Sequence, residues 1–174
     1  INAENVDLDG NSNQFSAQGF PAIDYLLFGI AENNTQILDV YTSDNNSTFT
    51  YLNLLIGKMV ENTDLVINYW ETNRNNFINS TGNTSTSSLN MLANDFVYYY
   101  EKGLRANKIG IPAGVWSGEL PQNVEAYYKS DISKMLAIEA LQASADFFNG
   151  IHFGDSQTNG EGLYDYLAYL DDTN

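Results

Sequence analysis

The amino-acid sequence predicts an all-α protein that folds as an antiparallel helical bundle. Apolar residues recur every three or four positions over long stretches, which is the spacing of a helix face that packs against a core. Polar segments, and segments rich in glycine and proline, separate these stretches. The sequence shows no apolar–polar alternation of the length that would indicate strands. Together these observations favour a bundle of helices.

Five segments carry the helical spacing and are predicted as helices, at residues 20–31, 48–77, 89–107, 130–149 and 163–170. Ser130 is expected to cap the fourth helix, and Gly150 to close it in the left-handed conformation that glycine adopts without strain. The polar residues 1–18 are expected to form a loop or a frayed end. The segments between the helices are rich in turn-forming residues and are expected to be loops, at residues 32–47, 79–88 and 108–129.

The composition limits the classes of function. The chain has 174 residues, of which 22 are acidic and 7 basic, so its formal net charge is −15. Such a chain repels nucleic acids and anionic lipids, because contacts with phosphate depend on Lys and Arg. The lack of cysteine excludes disulfides, thiolate metal sites and cysteine nucleophiles. No apolar run approaches the roughly 20 residues of a transmembrane helix, so no transmembrane segment is expected.

The stretch from Gln18 to Gly29 places one carboxylate at the start of the first predicted helix. Pro21 fits the first turn, where its missing N–H has no intrahelical partner. Asp24 is expected in or next to that turn, where an anion is favoured. The apolar face of this helix is supplied by Ile23, Leu26 and Leu27.

This stretch resembles the imelysin family, bacterial cell-envelope proteins that are also classed as M75 peptidases. Members carry a Gly-x-His-x-x-Glu motif followed by an apolar helix that often includes Leu-Leu-aromatic-Gly. In this sequence the motif runs from Gly19 to Asp24, and Tyr25-Leu-Leu-Phe-Gly29 follows. Pro21 stands in the place of the family's His, and Asp24 in the place of its Glu.

The resemblance extends over about residues 18–170. Four later segments are similar to family segments, at residues 108–114, 125–130, 147–150 and 162–167. Family members are longer, so the chain is expected to be either a single domain over residues 1–174 or an internal portion of a longer two-bundle protein. In the second case a second copy, or a missing fragment of the same protein, would cover its exposed faces. The resemblance also implies the periplasm or a surface-anchored lipoprotein, with a signal peptide removed.

The resemblance implies a binding site made by the opening motif and the segment 125–130. Its residues would be Gly19, Pro21, Asp24, Glu125, Tyr128 and Ser130, with Asp24 and Glu125 as oxygen ligands of iron or another divalent cation. A structural interpretation stands beside this one. In it, Asp24 stabilises its own helix by capping or by the helix dipole, and Ser130 is only an N-cap.

Other chemistry has weaker support in the sequence. His152 is the only histidine, which excludes a His-Glu-x-x-His zinc site, and a loop histidine without a chemical role is the favoured interpretation. No Gly-x-Ser-x-Gly motif marks a serine nucleophile. Acidic residues near the C-terminus lack the pattern of a calcium loop, and so do those between Asp7 and Asn13. The run Tyr98–Tyr100 is interpreted as core and rim of a helix rather than as a stacking platform.

The function expected from the resemblance is that of a non-catalytic envelope protein that binds a ligand, in the uptake of iron or another metal. An M75-type peptidase is one alternative. A surface module that uses aromatic residues to bind protein or carbohydrate is the other, and a large exposed aromatic patch would favour it.

Overall fold

The computed structural model describes residues 8, 17–43, 46–154 and 159–172. Every regular element in these ranges is a helix. The six α-helices are α1 (Gly19–Asp24), α2 (Asn34–Ser43), α3 (Ser47–Asn79), α4 (Ser88–Tyr98), α5 (Ser130–Phe148) and α6 (Leu163–Asp172). Two of them continue in π-helical geometry, α1 over Tyr25–Gly29 and α4 over Tyr99–Gly110, and a 3₁₀ turn covers Pro121–Asn123. Most of the polar segment 1–18 lies outside the described residues, and so do Asp7 and Asn13.

The helices at residues 48–77, 130–149 and 163–170 are confirmed to within two residues at either end. The helix predicted at residues 89–107 is present as α4 and its π-helical continuation. Gly150 has a φ of +69°, so the prediction of a left-handed residue after α5 is also confirmed.

The prediction of a loop over residues 32–47 is wrong, because most of that segment forms α2. The composition of this segment is typical of a turn, and α2 has no apolar face that would have indicated a helix, since Ile37 is its one buried residue. Local hydrogen bonds, rather than apolar packing, mark the start of the helix. The Asn33 side chain accepts a bond from the Gln36 N–H, and the Gln36 side chain accepts one from the Glu32 N–H. This exchange closely resembles a capping box.

The residues divide into two compact units. The first unit contains residues 1–80 and 125–133, and the second contains residues 81–124 and 134–174. In the first unit α1 and α2 both contact α3. Its core consists of Ala22 and Leu26 from the first helical segment and Tyr51 and Leu55 from α3. Burying side chains of this size typically contributes about 1.5–3 kcal/mol each, so these residues hold the first helix against α3.

Two tyrosine hydroxyls complete the packing of the first unit. The Tyr51 hydroxyl donates a hydrogen bond of 2.7 Å to the Ala17 carbonyl, which ties the chain before α1 to α3. The Tyr41 hydroxyl of α2 donates one of 3.1 Å to the Leu26 carbonyl. Because Leu26 lies in the π-helical segment, this bond connects α2 to the part of the first helix that precedes Gly29.

The second unit is organised by aromatic contacts. Phe96 of α4 stacks on Phe147 and Phe148 of α5, with ring centroids 5.6 and 6.1 Å apart. Trp116 packs against Gly110, where an added β-carbon would collide with its ring. The interpretation of Tyr98–Tyr100 as partly core is wrong, because all three side chains are exposed.

No helix in the described part of the chain is both long and apolar enough to cross a membrane.

Burial raises the pKa of the Tyr51 phenol above its ordinary value of 10.0. The folded chain therefore holds this proton more tightly than the unfolded chain does. The stability that results is fully present below pH 10 and is lost as the pH rises through the pKa of the folded state. We predict that Tyr51→Phe makes the alkaline fall in stability less steep. It should also cost about 1–2 kcal/mol at neutral pH, because the Ala17 carbonyl loses its donor.

Urea denaturation at pH 7 and at several values above pH 9.5 measures both effects. Tyr98→Phe is the matched control, since Tyr98 is exposed on α4. An alkaline slope that is the same in Tyr51→Phe and in the wild type would contradict the prediction.

Candidate functional site

The carboxylate of Asp24 joins the opening motif to the segment before α5. Its Oδ2 accepts a hydrogen bond of 2.8 Å from the Tyr128 N–H, and its Oδ1 accepts one of 2.9 Å from the Lys129 N–H. The residue is 9% exposed. A buried carboxylate is costly unless strong donors satisfy it, and a charged acceptor makes such bonds about twice as strong as neutral ones. Asp24 therefore holds together two segments that are far apart in the sequence.

The position of the two donors explains why they bind an anion. They lie directly before Ser130, the first residue of the 19-residue helix α5. The N-terminus of a helix carries a partial positive charge, so a carboxylate beside it is stabilised. Asp24 is not in the first turn of its own helix, which contains no acidic residue. The carboxylate of Asp24 is therefore stabilised by the N-terminus of α5, and not by that of its own helix α1 as predicted.

Ser130 takes a different position from the one expected. Because α5 begins at Ser130, the residue before the helix is Lys129, and the N–H of Lys129 is bound by Asp24. The prediction of Ser130 as the N-cap is therefore corrected: a carboxylate from another helix serves this end. Asp131 lies in the first turn of α5, and its carboxylate lies 3.0 Å from the Lys129 ammonium.

Four aromatic rings surround the Asp24 contact, and we call them the aromatic cluster: Tyr25, Phe28, Tyr127 and Tyr128. Tyr128 meets the edges of both other tyrosines, at centroid distances of 5.3 and 5.1 Å. The Lys129 ammonium lies 5.5 Å from the centre of the Phe28 ring. Each of the four residues remains between 42% and 45% exposed. The cluster therefore presents aromatic surface to solvent although its members contact one another.

Gly29 explains how the rings come so close to the first helix. A β-carbon added at Gly29 would collide with the Tyr128 ring. This contact does not depend on the backbone freedom of glycine, since Gly29 lies in a π-helical segment. Glycine is needed here for space, and the family pattern Leu-Leu-aromatic-Gly has a physical reason in this chain.

The remaining predicted site residues are near this contact in the sequence but have other roles or positions. Gly19 has a φ of +68° and begins α1, where a left-handed residue turns the chain into the helix. Pro21 is the third residue of α1, as predicted, and its ring is exposed. Glu125 is partly buried and belongs to the first unit with Asp24.

Asp24, one of the two predicted cation ligands, is engaged in backbone hydrogen bonds. Both Asp24 oxygens already accept backbone hydrogen bonds, and proline has no donor atom in its side chain. Among the described residues, no group of three or more His, Cys, Asp or Glu side chains could hold a metal ion. The assignment of Asp24 and Glu125 as ligands stays a prediction.

Two other candidates from the sequence belong to the second unit. His152 lies on the loop after α5, next to Gly160. Asp165 accepts a hydrogen bond of 2.8 Å from the Gly162 N–H and so stabilises the start of α6. Its role in the described structure is that of a helix-stabilising residue.

Comparison with known proteins identifies the family of this chain. The family model described as imelysin, Peptidase_M75, matches residues 1–173. The chain belongs to the imelysin family. No curated protein and no solved structure matches it. The prediction of an all-α, imelysin-like helical fold is confirmed. Proteins of this family are typically extracytoplasmic.

The aromatic cluster was missed as a unit in the sequence. The predicted site includes Tyr128, and Tyr127 lies in the same segment 125–130, but Tyr25 and Phe28 are not among the predicted residues. The two halves of the cluster are about 100 residues apart in the sequence, so no local spacing connects them. The density of rings just beyond Asp24 and just before Ser130 was the available signal.

We predict that Asp24→Asn lowers the free energy of unfolding by about 2–3 kcal/mol. The amide keeps one acceptor oxygen but turns an NH₂ group toward a backbone N–H, so one strong hydrogen bond is lost and a buried donor is left unpaired. Asp131→Asn removes the same charge from the exposed first turn of α5. It should cost less than about 1 kcal/mol.

Chemical denaturation of the two variants and the wild type measures the difference. If Asp24→Asn and Asp131→Asn lower the free energy of unfolding by the same amount, the buried contact contributes no more than an exposed charge and the prediction is wrong.

Proposed function

We propose that this imelysin-family chain is a non-catalytic binding protein of the bacterial cell envelope, and that the aromatic cluster is its contact surface. The observation that carries the proposal is the partial exposure of four rings around a buried, hydrogen-bonded carboxylate. The three tyrosines contact one another and stay partly exposed together with Phe28, so they form one patch, and contiguous apolar patches mark binding sites more often than scattered rings do. The fixed backbone beneath them makes the surface pre-formed, which reduces the entropy lost on binding.

We infer that the protein is non-catalytic from the two residues that stand at the chemical positions of the motif, Pro21 and Asp24. Proline replaces the family's His, and the carboxylate holds two backbone N–H groups. Both positions therefore serve the fold in this chain. An M75-type peptidase is the alternative, and hydrolysis of a protein substrate that Asp24→Asn abolishes, with the variant still folded, would replace the proposal.

A saccharide suits the aromatic cluster best. Sugar rings have apolar C–H faces and hydroxyl edges, and tyrosine combines an apolar ring with a polar tip. A neutral saccharide also meets no repulsion from a chain of net charge −15. The envelope of bacteria is rich in saccharide polymers, so the ligand class agrees with the proposed location.

We predict that oligosaccharides of N-acetylglucosamine bind at the aromatic cluster. Titration followed by NMR should shift the amide signals of Tyr127, Tyr128 and Lys129. Phe28→Ala and Tyr127→Ala should each weaken binding about two- to tenfold, because one aromatic contact contributes about 0.5–1.5 kcal/mol. Tyr98→Ala, which removes an exposed tyrosine from α4, is the control and should bind as the wild type does.

The proposal fails if oligosaccharides produce no shift at any concentration, or if Tyr98→Ala weakens binding as much as Tyr127→Ala. A protein ligand would then be the remaining member of this class.

Cation binding, with a role in iron or other metal uptake, is the second candidate. The observation in its favour is that Asp24 contacts the segment that begins at Glu125. We predict for this candidate that calorimetry detects binding of Fe²⁺ or Mn²⁺ to the wild type. In the double variant Asp24→Ala, Glu125→Ala the binding should be lost, whereas Asp131→Ala should keep it. Full cation binding by the folded double variant would remove the candidate.

The formation of a homo-oligomer, or packing with a further fragment of the same protein, also stays a prediction. Equilibrium ultracentrifugation at several protein concentrations would decide the oligomeric state.

A further inference from the structure

A cavity of about 680 Å³ lies in the second unit. Leu89 and Leu92 of α4 line it, together with Phe147 of α5 and Tyr166 and Tyr169 of α6. Its volume is within the range of pockets that hold small organic molecules, and its walls are mostly apolar, as such pockets usually are.

A second cavity, of about 260 Å³, is adjacent to the first. The same Leu92 and Phe147 line it, and Phe96 and Ala143 extend it along α4 and α5. The Phe147 ring, which lines both cavities, stacks on Phe96 at a centroid distance of 5.6 Å, so an aromatic contact holds this shared residue in place. An unbranched apolar chain could therefore extend from the larger cavity into the smaller one.

The charged groups lie in the larger cavity, whereas the smaller one has only Tyr99 and Ser144 as polar residues. Glu161 and Asp165 line the larger cavity, beside His152. One oxygen of Asp165 accepts the Gly162 N–H at 2.8 Å, which fixes the position of the carboxylate. Two acidic side chains in the lining of a mostly apolar cavity favour a cationic ligand head, and the Tyr166 and Tyr169 rings in the same lining are residues that a cation can contact.

Close backbone packing holds this part of the lining in place. The Gly160 N–H donates a hydrogen bond of 2.8 Å to the Gly150 carbonyl. A β-carbon on Gly150 would collide with the Gly160 carbonyl, and one on Gly162 would collide with the Gly150 backbone. Three glycines thus allow the ends of the loop to meet at van der Waals distance, directly beside the two carboxylates.

We propose that these two cavities bind an amphiphilic organic cation. Its ammonium head lies at Glu161 and Asp165, and its aliphatic tail follows Leu92, Phe147 and Phe96. Charge complementarity selects the head, because an anionic head would be repelled both by this pair and by the net charge of −15. The site is in the other unit from the aromatic cluster, so it does not depend on the function proposed above.

Four simple probes test the proposal by NMR titration of the whole chain: octylamine, hexylamine, octanol and octanoate. Octylamine should bind about tenfold more tightly than hexylamine, because each buried methylene contributes about 0.8 kcal/mol. Octanol and octanoate, which have the same tail but a neutral or anionic head, should bind more weakly. The largest amide shifts should fall on Gly150, Gly160 and Gly162.

Two pairs of variants separate this site from general attraction of an amine to an acidic protein. Glu161→Gln should weaken octylamine binding about threefold, as expected for a partly exposed ion pair. Glu119→Gln makes the same change in net charge outside the cavity and should have no effect. Ala143→Phe fills the smaller cavity and should weaken octylamine more than hexylamine, whereas Ala145→Phe on the same helix should not.

The proposal is overturned if octanoate binds as tightly as octylamine, if chain length has no effect, or if each variant and its control behave alike. Should Ala143→Phe fail to fold, the amide shifts and the chain-length series in the wild type decide the matter. A result for octylamine leaves the saccharide proposal unaffected, because the signals of Tyr127 and Tyr128 report on that surface separately.

Discussion

The hydrogen bonds from the Tyr128 and Lys129 N–H groups to Asp24 are the interaction on which the first unit depends. They connect residues 104 and 105 positions apart. Closing so long a loop costs conformational entropy, and a buried pair of charge-assisted bonds can offset part of that cost. The contact also determines where the Tyr128 ring lies, so the aromatic cluster follows from it.

The same interaction gives the carboxylate of the motif a structural role. Each Asp24 oxygen accepts one backbone N–H, and proline stands in the place of the family's His. The surface beside this contact is a set of aromatic rings, whose binding chemistry is that of stacking and apolar contact.

The sequence was sufficient where one helix face is strongly apolar and insufficient where structure depends on polar or distant contacts. The bounds of α3 differ from the predicted helix by only one residue at its start and two at its end, and its buried residues Thr48, Tyr51 and Leu55 follow the helical period. Helix α2 was missed because its main signal is the exchange between Asn33 and Gln36 rather than an apolar face. The pairing of Asp24 with α5 has no local signal at all. Only the family resemblance indicated that residues 125–130 lie near the motif.

The contact between Gly29 and Tyr128 has a consequence for how such sequences can diverge. The tyrosine ring fills the volume in which any other residue at position 29 would place its first side-chain carbon. Neither position is then free to change alone: a larger residue at 29 requires a smaller or differently shaped one at 128. Substitutions at positions 29 and 128 would therefore occur together. This packing contact would then be visible in related sequences as correlated changes at the two positions.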